Sequence, residues 1–186
     1  RRAADGRVAV TFTQAPDTAS VAFADTNTAV LEISNTGTIA SRANLNFSTT
    51  TSTYEQMMGV DIGRSGQIYV LRIDNKIQKV SNGVVDTAFG SSGVLDPGSS
   101  YFNHTTIKAD DNGKLYVLTI NGTQTITLRR YNENGTVDTA FGSSGSLTIT
   151  AAANVSDASM DLNTSAGKIY IVSATQNTDY VYEVST

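Results

Sequence analysis

The most informative absences in this 186-residue sequence are those of reactive residues: it has no cysteine, no tryptophan and a single histidine. Without cysteine the chain can form neither disulfide bonds nor thiolate metal sites. It also contains no G-x-S-x-G, P-loop or H-E-x-x-H motif, and the lone His104 is typical of a surface or packing residue beside a strand. We therefore predict a protein that is not an enzyme, with no catalytic residue, no cofactor and no metal site.

Charged residues are scarce as well, at 16% of the chain, and no apolar run approaches the roughly 18 residues of a membrane-spanning helix. The net charge of −4 argues against nucleic-acid binding, because no basic stripe is present to neutralise phosphates. The densest basic positions, Lys76 with Lys79 and Arg129 with Arg130, lie in strand-like runs and are interpreted as solvated faces. Serine, threonine and asparagine must supply the polar surface, a composition common in secreted and virion proteins. It predicts an extracellular, cell-surface or virion-surface location.

What the sequence does contain is repetition. Two β-rich runs joined by a polar turn recur four times, at residues 20–34, 67–81, 114–132 and 168–185. The predicted turns lie at Thr26-Asn27, Asp74-Asn75, Asn121-Gly122 and Gln176-Asn177, and most of these residues are of types that tolerate positive φ. A further short run precedes each of the last three hairpins. Ala22, Tyr69, Tyr116 and Tyr170 hold matching places, so one domain of four units is predicted, at approximately 7–52, 53–98, 99–152 and 153–186.

The stretch VVDTAFGSSGVL at 84–95 returns almost unchanged as TVDTAFGSSGSL at 136–147. In each copy we expect the aspartate to cap a turn, the phenylalanine to anchor that turn in the core, and the two glycines to adopt φ values that other residues resist. These residues are Asp86, Phe89, Gly90 and Gly93 in the first copy, and Asp138, Phe141, Gly142 and Gly145 in the second. The repeated stretch thus predicts a structural corner that is made twice.

The central strands of the last three hairpins read IYVL, LYVL and IYIV, and are apolar on both faces. A sandwich strand with one wet face should alternate instead, whereas a strand covered on both sides is expected where sheets stack around an axis. Between two tandem sandwiches and a β-propeller, the pattern therefore favours the propeller. We predict an all-β fold with about four repeats of 46–54 residues, forming either a four-bladed propeller or an arc of a larger one.

Residues 111–145, DNGKLYVLTINGTQTITLRRYNENGTVDTAFGSSG, resemble the delta-60 repeat, a bacterial β-propeller-like repeat. The matching positions of the third unit are Asn112 to Lys114, Arg130 to Asn132, Gly135 to Asp138 and Phe141-Gly142. The second unit matches at 83–93 and the fourth at 166–171, whereas the first lacks both the aspartate and the Phe-Gly pair. The resemblance covers about half of the chain. It implies a propeller fold but no activity, since the family has no shared catalytic residues.

The second and third units continue into an outer strand, GVLDPG or GSLTITAAA, but the fourth unit reaches Thr186 before such a strand. Residues 5–12, DGRVAVTF, resemble the missing strand, and we favour the interpretation that they close the ring within one chain. Alternatively they form the inner strand of the first unit. The fourth unit then presents an edge that a neighbouring subunit could fill by strand addition.

The remaining candidate residues have structural interpretations. The acids in ADDNGK at 109–114 lack the spacing of an EF-hand, so a hairpin turn is predicted there rather than a calcium site. Tyr69, Tyr116 and Tyr170 are expected to pack in the core rather than to stack on sugars. Six N-x-S/T sequons occur, at Asn46, Asn103, Asn121, Asn134, Asn154 and Asn163. No binding residue can be assigned from these patterns.

Two classes of function stay open. The first is a structural or assembly protein of a virion, filament or cell-surface layer, whose partners are other proteins or copies of itself. The second is a monomeric binding module that recognises a glycan or a protein through the loops at one end of the propeller. The low charge, the hydroxyl-rich surface and the unfinished fourth unit favour the first.

Overall fold

The protein is all-β, with four antiparallel sheets that follow one another along the chain. The computed structural model describes residues 8–14, 27–45, 57–63, 66–72, 74–98 and 105–186. Sheet 1 consists of β1 Val8–Gln14, β2 Asn27–Ile33 and β3 Ile39–Leu45. Sheet 2 consists of β4 Met57–Ile62, β5 Ile68–Arg72, β6 Ile77–Ser81, β7 Val84–Val85 and β8 Val94–Leu95.

The third and fourth sheets complete the described chain. Sheet 3 consists of β9 Thr105–Ala109, β10 Leu115–Asn121, β11 Thr125–Tyr131 and β12 Ser146–Thr150. Sheet 4 consists of β13 Val155–Asn163, β14 Lys168–Thr175 and β15 Asp179–Ser185, with a 3-10 helix at Thr164–Ala166 between β13 and β14. Within the described ranges no helix is long and apolar enough to cross a membrane.

Three of the four predicted hairpins are confirmed: β5 pairs with β6, β10 with β11, and β14 with β15. Two of their turns use positive φ as expected, at Asn75 (60°) and Gly122 (74°). The outer strands predicted after the second and third hairpins are also present, as β8 on β6 and β12 on β11. Turn residues that tolerate left-handed backbone thus set the register of these sheets.

The first predicted hairpin, with its turn at Thr26-Asn27, is wrong. Strand β2 begins at Asn27 and pairs with β1 on one side and β3 on the other. Both edges of β2 are thus occupied by strands other than the predicted partner, and residues 20–25 lie outside the described residues. Ala22, expected in the place of Tyr69, lies outside the described residues.

The N-terminal segment also differs from the favoured interpretation. Strand β1 pairs with β2, and β15 is an edge strand of a separate sheet. Ring closure by pairing of this segment with the last sheet is therefore wrong, and the pairing of β1 with β2 agrees with the alternative in that the segment belongs to the first unit. Across the residues that the structure describes, the four sheets form no closed ring.

The sheets stack by one repeated rule. We call the face that carries Tyr69, Tyr116 or Tyr170 the tyrosine face of sheet 2, 3 or 4. The tyrosine face of sheet 2 packs on Leu115 and Val117 of sheet 3. In the same way, the tyrosine face of sheet 3 packs on the opposite face of sheet 4, which carries buried isoleucines of β14. Each buried aliphatic side chain in these layers contributes about 1.5–3 kcal/mol.

Sheet 2 is enclosed on both sides, since its second face packs on Ala9 of sheet 1 through Ile68 and Val70. The first strands of the sheets adjoin one another, with β4 lying against both β1 and β9, and β9 against β13. At one of these junctions the Ala109 N–H donates to Asp61 Oδ2 over 2.7 Å. Because sheet 2 packs on both sheet 1 and sheet 3, the fold is not two separate sandwiches of two sheets each.

Candidate functional site

The two copies of the repeated stretch form matching corners at the ends of sheets 2 and 3. The Ala88 N–H donates to Asp86 Oδ1 over 3.0 Å, and the Ala140 N–H donates to Asp138 Oδ1 over 3.3 Å. The predicted capping role of both aspartates is confirmed. The four glycines of the corners all adopt positive φ, between 53° and 92°.

The corner phenylalanines anchor these turns in the core, as predicted. Phe89 packs edge-on against Tyr69 with ring centroids 5.8 Å apart, and Phe141 does the same against Tyr116 at 6.0 Å. All four rings are buried. Burial raises the pKa of the Tyr69 and Tyr116 hydroxyls, because it disfavours the phenolate. These two tyrosines are therefore core residues and offer no platform to a sugar.

Lys79 was expected on a solvated face, and that prediction is wrong. The residue is only 6% exposed. Its Nζ lies 2.9 Å from the Asp86 carboxylate and donates to the Glu133 backbone carbonyl over 3.1 Å. The hydrogen bond from Lys79 lowers the pKa of Asp86. A buried ammonium needs such partners, and the corner of sheet 2 and the turn of sheet 3 supply them together.

The same correction applies to Arg130. Its Nε lies 2.8 Å from Asp138 Oδ2, and its guanidinium lies 4.7 Å from the centroid of the Phe141 ring. Lys114 Nζ approaches the same carboxylate at 2.9 Å, and its hydrogen bond lowers the pKa of Asp138. In both corners a cation thus sits between the corner aspartate and the corner phenylalanine.

Sheet 4 breaks this pattern. In sheets 2 and 3 the residue paired with the tyrosine is a cation, Lys79 or Arg130, whereas the residue paired with Tyr170 is Glu183. Glu183 Oε1 accepts a hydrogen bond from Lys168 Nζ over 2.6 Å. This bond lowers the pKa of Glu183 and raises that of Lys168. The fourth sheet therefore replaces the corner cation with an exposed local ion pair.

The tyrosine face of sheet 4 is the main open apolar surface among the described residues. Tyr170 is 37% exposed, Val172 41% and Val181 69%. The corresponding Tyr116 and Leu118 of sheet 3 are 2% and 1% exposed. The prediction that the central strand is covered on both sides thus holds for sheets 2 and 3 but is wrong for sheet 4, where β14 alternates buried and exposed residues.

Charged groups surround this apolar centre. On the same face lie four exposed carboxylates and one half-buried ammonium, belonging to Asp157, Asp161, Asp179, Glu183 and Lys168. An apolar centre inside a polar rim is the usual anatomy of a surface that binds another protein.

The openness of sheet 4 has a signal in the sequence that our prediction missed. Successive residues of β15 belong to opposite faces of the strand. One face carries Asp179, Val181 and Glu183, and the other carries Tyr180, Tyr182 and Val184. Alternation of this kind is typical of a strand with one solvated face. The central strand alone does not reveal it, because Tyr170 and Val172 are as apolar as their buried counterparts.

A second surface feature is a shallow groove of about 480 Å³ beside the turn of the fourth hairpin. Its lining is rich in side-chain amides and includes one aromatic ring, with Gln124, Asn154, Gln176, Asn177 and Tyr180 among the contributing residues. Tyr180 stacks on Tyr182 with ring centroids 6.5 Å apart. Amides and an aromatic face are groups that suit a polar ligand such as a sugar.

The acidic ADDNGK segment is a turn, as predicted. Asp110 is buried, and its Oδ1 accepts hydrogen bonds of 2.8 Å from both the Asn112 and the Lys114 N–H. Its carboxylate therefore joins β9 to β10. Within the described ranges no cluster of three His, Cys, Asp or Glu side chains could hold a metal ion.

The other predicted residues divide between surface and undescribed positions. His104, Asn46 and Asn103 lie outside the described residues. Asn121 is half-buried, and its amide donates to Thr119 and Thr127. The remaining sequon asparagines, Asn134, Asn154 and Asn163, are exposed. A comparison with known families and with curated proteins finds no family model and no curated protein that matches this sequence.

Proposed function

We propose that this protein is a non-enzymatic structural or assembly protein that acts outside the cell or on the surface of a virion. In this proposal its repeats form a propeller-type array, and another protein molecule docks on the last sheet. The observation that carries the proposal is the exposed tyrosine face of sheet 4. The tyrosine faces of sheets 2 and 3 are each covered by the next sheet.

The propeller part of the proposal has three supports. The sheets pack in chain order, their first strands β1, β4, β9 and β13 adjoin one another, and the third unit resembles the delta-60 repeat. Strands that meet along one side of a series of sheets are what blades around an axis require. The low charge and hydroxyl-rich composition support an extracellular or virion surface.

The docking part rests on energetics and on the strand order. A partner that covers Tyr170, Val172 and Val181 gains about 1–2 kcal/mol for each newly buried side chain. Among the described strands β15 is an edge strand of sheet 4, paired with β14 on one side. A partner strand can therefore pair with β15 while its side chains cover the tyrosine face.

The test compares two valines of equal exposure. We expect the native mass of the protein to rise with concentration from the 19.7 kDa monomer, as measured by light scattering over a hundredfold range. Val181→Lys should weaken this association at least tenfold. Val84→Lys, at a valine that is 68% exposed against 69% for Val181, should leave it unchanged. A wild-type protein that stays monomeric throughout would refute self-assembly.

The groove beside the fourth hairpin favours a second candidate, glycan binding. If the groove binds sugars, the protein should retain specific glycans on an array, and Tyr180→Ala should abolish that binding while leaving the native mass unchanged. Tyr131→Phe is the matched control, since Tyr131 is buried away from the groove. An array without specific signals would remove this candidate.

A further inference from the structure

The opposite end of the stack also carries an open apolar face. In sheet 1, β1 pairs Val8 with Ile33, and β2 pairs Ile33 with Ile39, so the three residues form one row across the sheet. Ala9 packs on sheet 2, and neighbouring residues in a strand point to opposite faces. The row therefore faces away from the stack. Ile39 is 65% exposed, while Val8 and Ile33 are half-buried.

The repeated packing rule says which surface fits the tyrosine face of sheet 4. In sheets 2 and 3 that face meets the opposite face of the following sheet, an aliphatic surface. The row of Val8, Ile33 and Ile39 is also aliphatic, and none of the described sheets packs on it. Tyr170 and Ile39 are both exposed, so the sheets of the described residues leave both faces open.

We infer that the tyrosine face of sheet 4 in one copy packs on the outer face of sheet 1 in a second copy, joining molecules head to tail. This inference rests on the proposed assembly function and names its partner. The contact repeats the sheet-to-sheet packing found inside the chain, with Tyr170, Val172 and Val181 opposite Val8, Ile33 and Ile39.

Charge excludes the simplest competing arrangement, in which sheet 4 packs on sheet 4. That contact would bring together two faces that each carry four carboxylates, of which Asp161 pairs with Lys108 and Glu183 with Lys168, and the excess negative charge repels across an interface. The row on sheet 1 is uncharged. A heterologous contact of this kind leaves one free face on every dimer, so it continues into a ring or a filament.

A mixing experiment tests the inference. Val181→Lys blocks only the sheet 4 face, and Ile39→Lys blocks only the sheet 1 face. Each variant alone should stay at the 19.7 kDa monomer at concentrations where the wild type assembles. An equimolar mixture should form dimers, because each variant supplies the face that the other lacks. Assembly should stop at the dimer.

The outcomes separate this inference from the proposed function. An Ile39→Lys variant that assembles like the wild type overturns head-to-tail packing and leaves the assembly function intact. A wild type that never assembles overturns both. The melting temperature of each variant, compared with that of Val84→Lys, checks that the lysines leave the fold intact.

Cross-linking gives a second readout that does not depend on lysine. Because the chain has no cysteine, Val181→Cys and Ile39→Cys each introduce a single thiol. A mixture of the two, oxidised under mild conditions, should yield disulfide-linked mixed dimers at least tenfold above a mixture of Val84→Cys and Ile39→Cys. Equal yields from the two mixtures would overturn the inference.

Discussion

Replacing Gly142 by alanine should destabilise the protein more than the same change at Gly122. Both glycines belong to sheet 3 or its connections and both adopt positive φ, at 53° and 74°. The difference is space. A Cβ on Gly142 would collide with the backbone oxygen of Ser146, whereas a Cβ on Gly122 would meet no atom within 4 Å.

The magnitudes follow from these two surroundings. Left-handed backbone costs a residue with a Cβ about 1–2 kcal/mol, and this is all that Gly122→Ala should lose. Gly142→Ala adds the displacement of a backbone carbonyl, for which overpacking costs of about 1–3 kcal/mol are typical, giving a total of about 2–5 kcal/mol. For a chain of this size 1 kcal/mol lowers the melting temperature by about 2–4 °C.

The assay is urea and thermal denaturation of the two variants beside the wild type, in dilute solution where the protein is monomeric. Gly98→Ala provides a second open-space control, since Gly98 has φ of 71° and no atom within 4 Å of the added Cβ. Equal losses for all three variants would show that only φ matters. The close approach of Gly142 to the backbone of Ser146 would then not be a reason why this position requires glycine.

Two further predictions concern pH and one concerns the ion pairs. The pKa of Asp138 is lowered in the folded state, so the ionised carboxylate stabilises the fold above its unfolded-state pKa, and this contribution is lost as the pH falls through its folded-state pKa. The urea midpoint should therefore decrease as the pH falls below about 4, and Asp138→Asn should make that decrease smaller. Tyr69 and Tyr116 have raised pKa values, so unfolding should become easier as pH rises above about 10, and Tyr116→Phe should reduce this alkaline loss. Lys79→Met should change the urea midpoint much more than Lys168→Met, because Lys79 is buried between two carboxylates and Lys168 forms an exposed pair. Equal effects of the two lysine changes would contradict the burial argument.

The parts of the fold that the sequence predicts are those with local causes. Turn residues with positive φ, such as Asn75 and Gly122, locate hairpins because the strands they join are adjacent in the chain. The aspartate of each corner caps a backbone N–H only two residues away. Such interactions depend on short stretches of sequence, and the nearly identical residues 84–95 and 136–147 form the same corner twice.

The parts that could not be predicted depend on residues far away in the chain. Lys79 is buried because Glu133, 54 residues later, supplies a carbonyl to its ammonium. Tyr170 is exposed although Tyr116 is buried, because sheet 4 packs on the face that carries Tyr116 and none of the described sheets packs on the face that carries Tyr170. The first hairpin is predicted from the local sequence around Thr26-Asn27, whereas β2 pairs with β1 at residues 8–14 and with β3 at residues 39–45.

The stacking of tyrosine faces on the following sheets bears on how the gene of this protein can change. The junctions between sheets 2 and 3 and between sheets 3 and 4 use the same kind of contact, so a copy of sheet 3 inserted between them would meet compatible neighbours on both sides. Loss or gain of one unit then alters the length of the array and leaves the chemistry of its ends untouched. The near-identity of residues 84–95 and 136–147 shows that two successive units already share the corner that such a change would have to preserve.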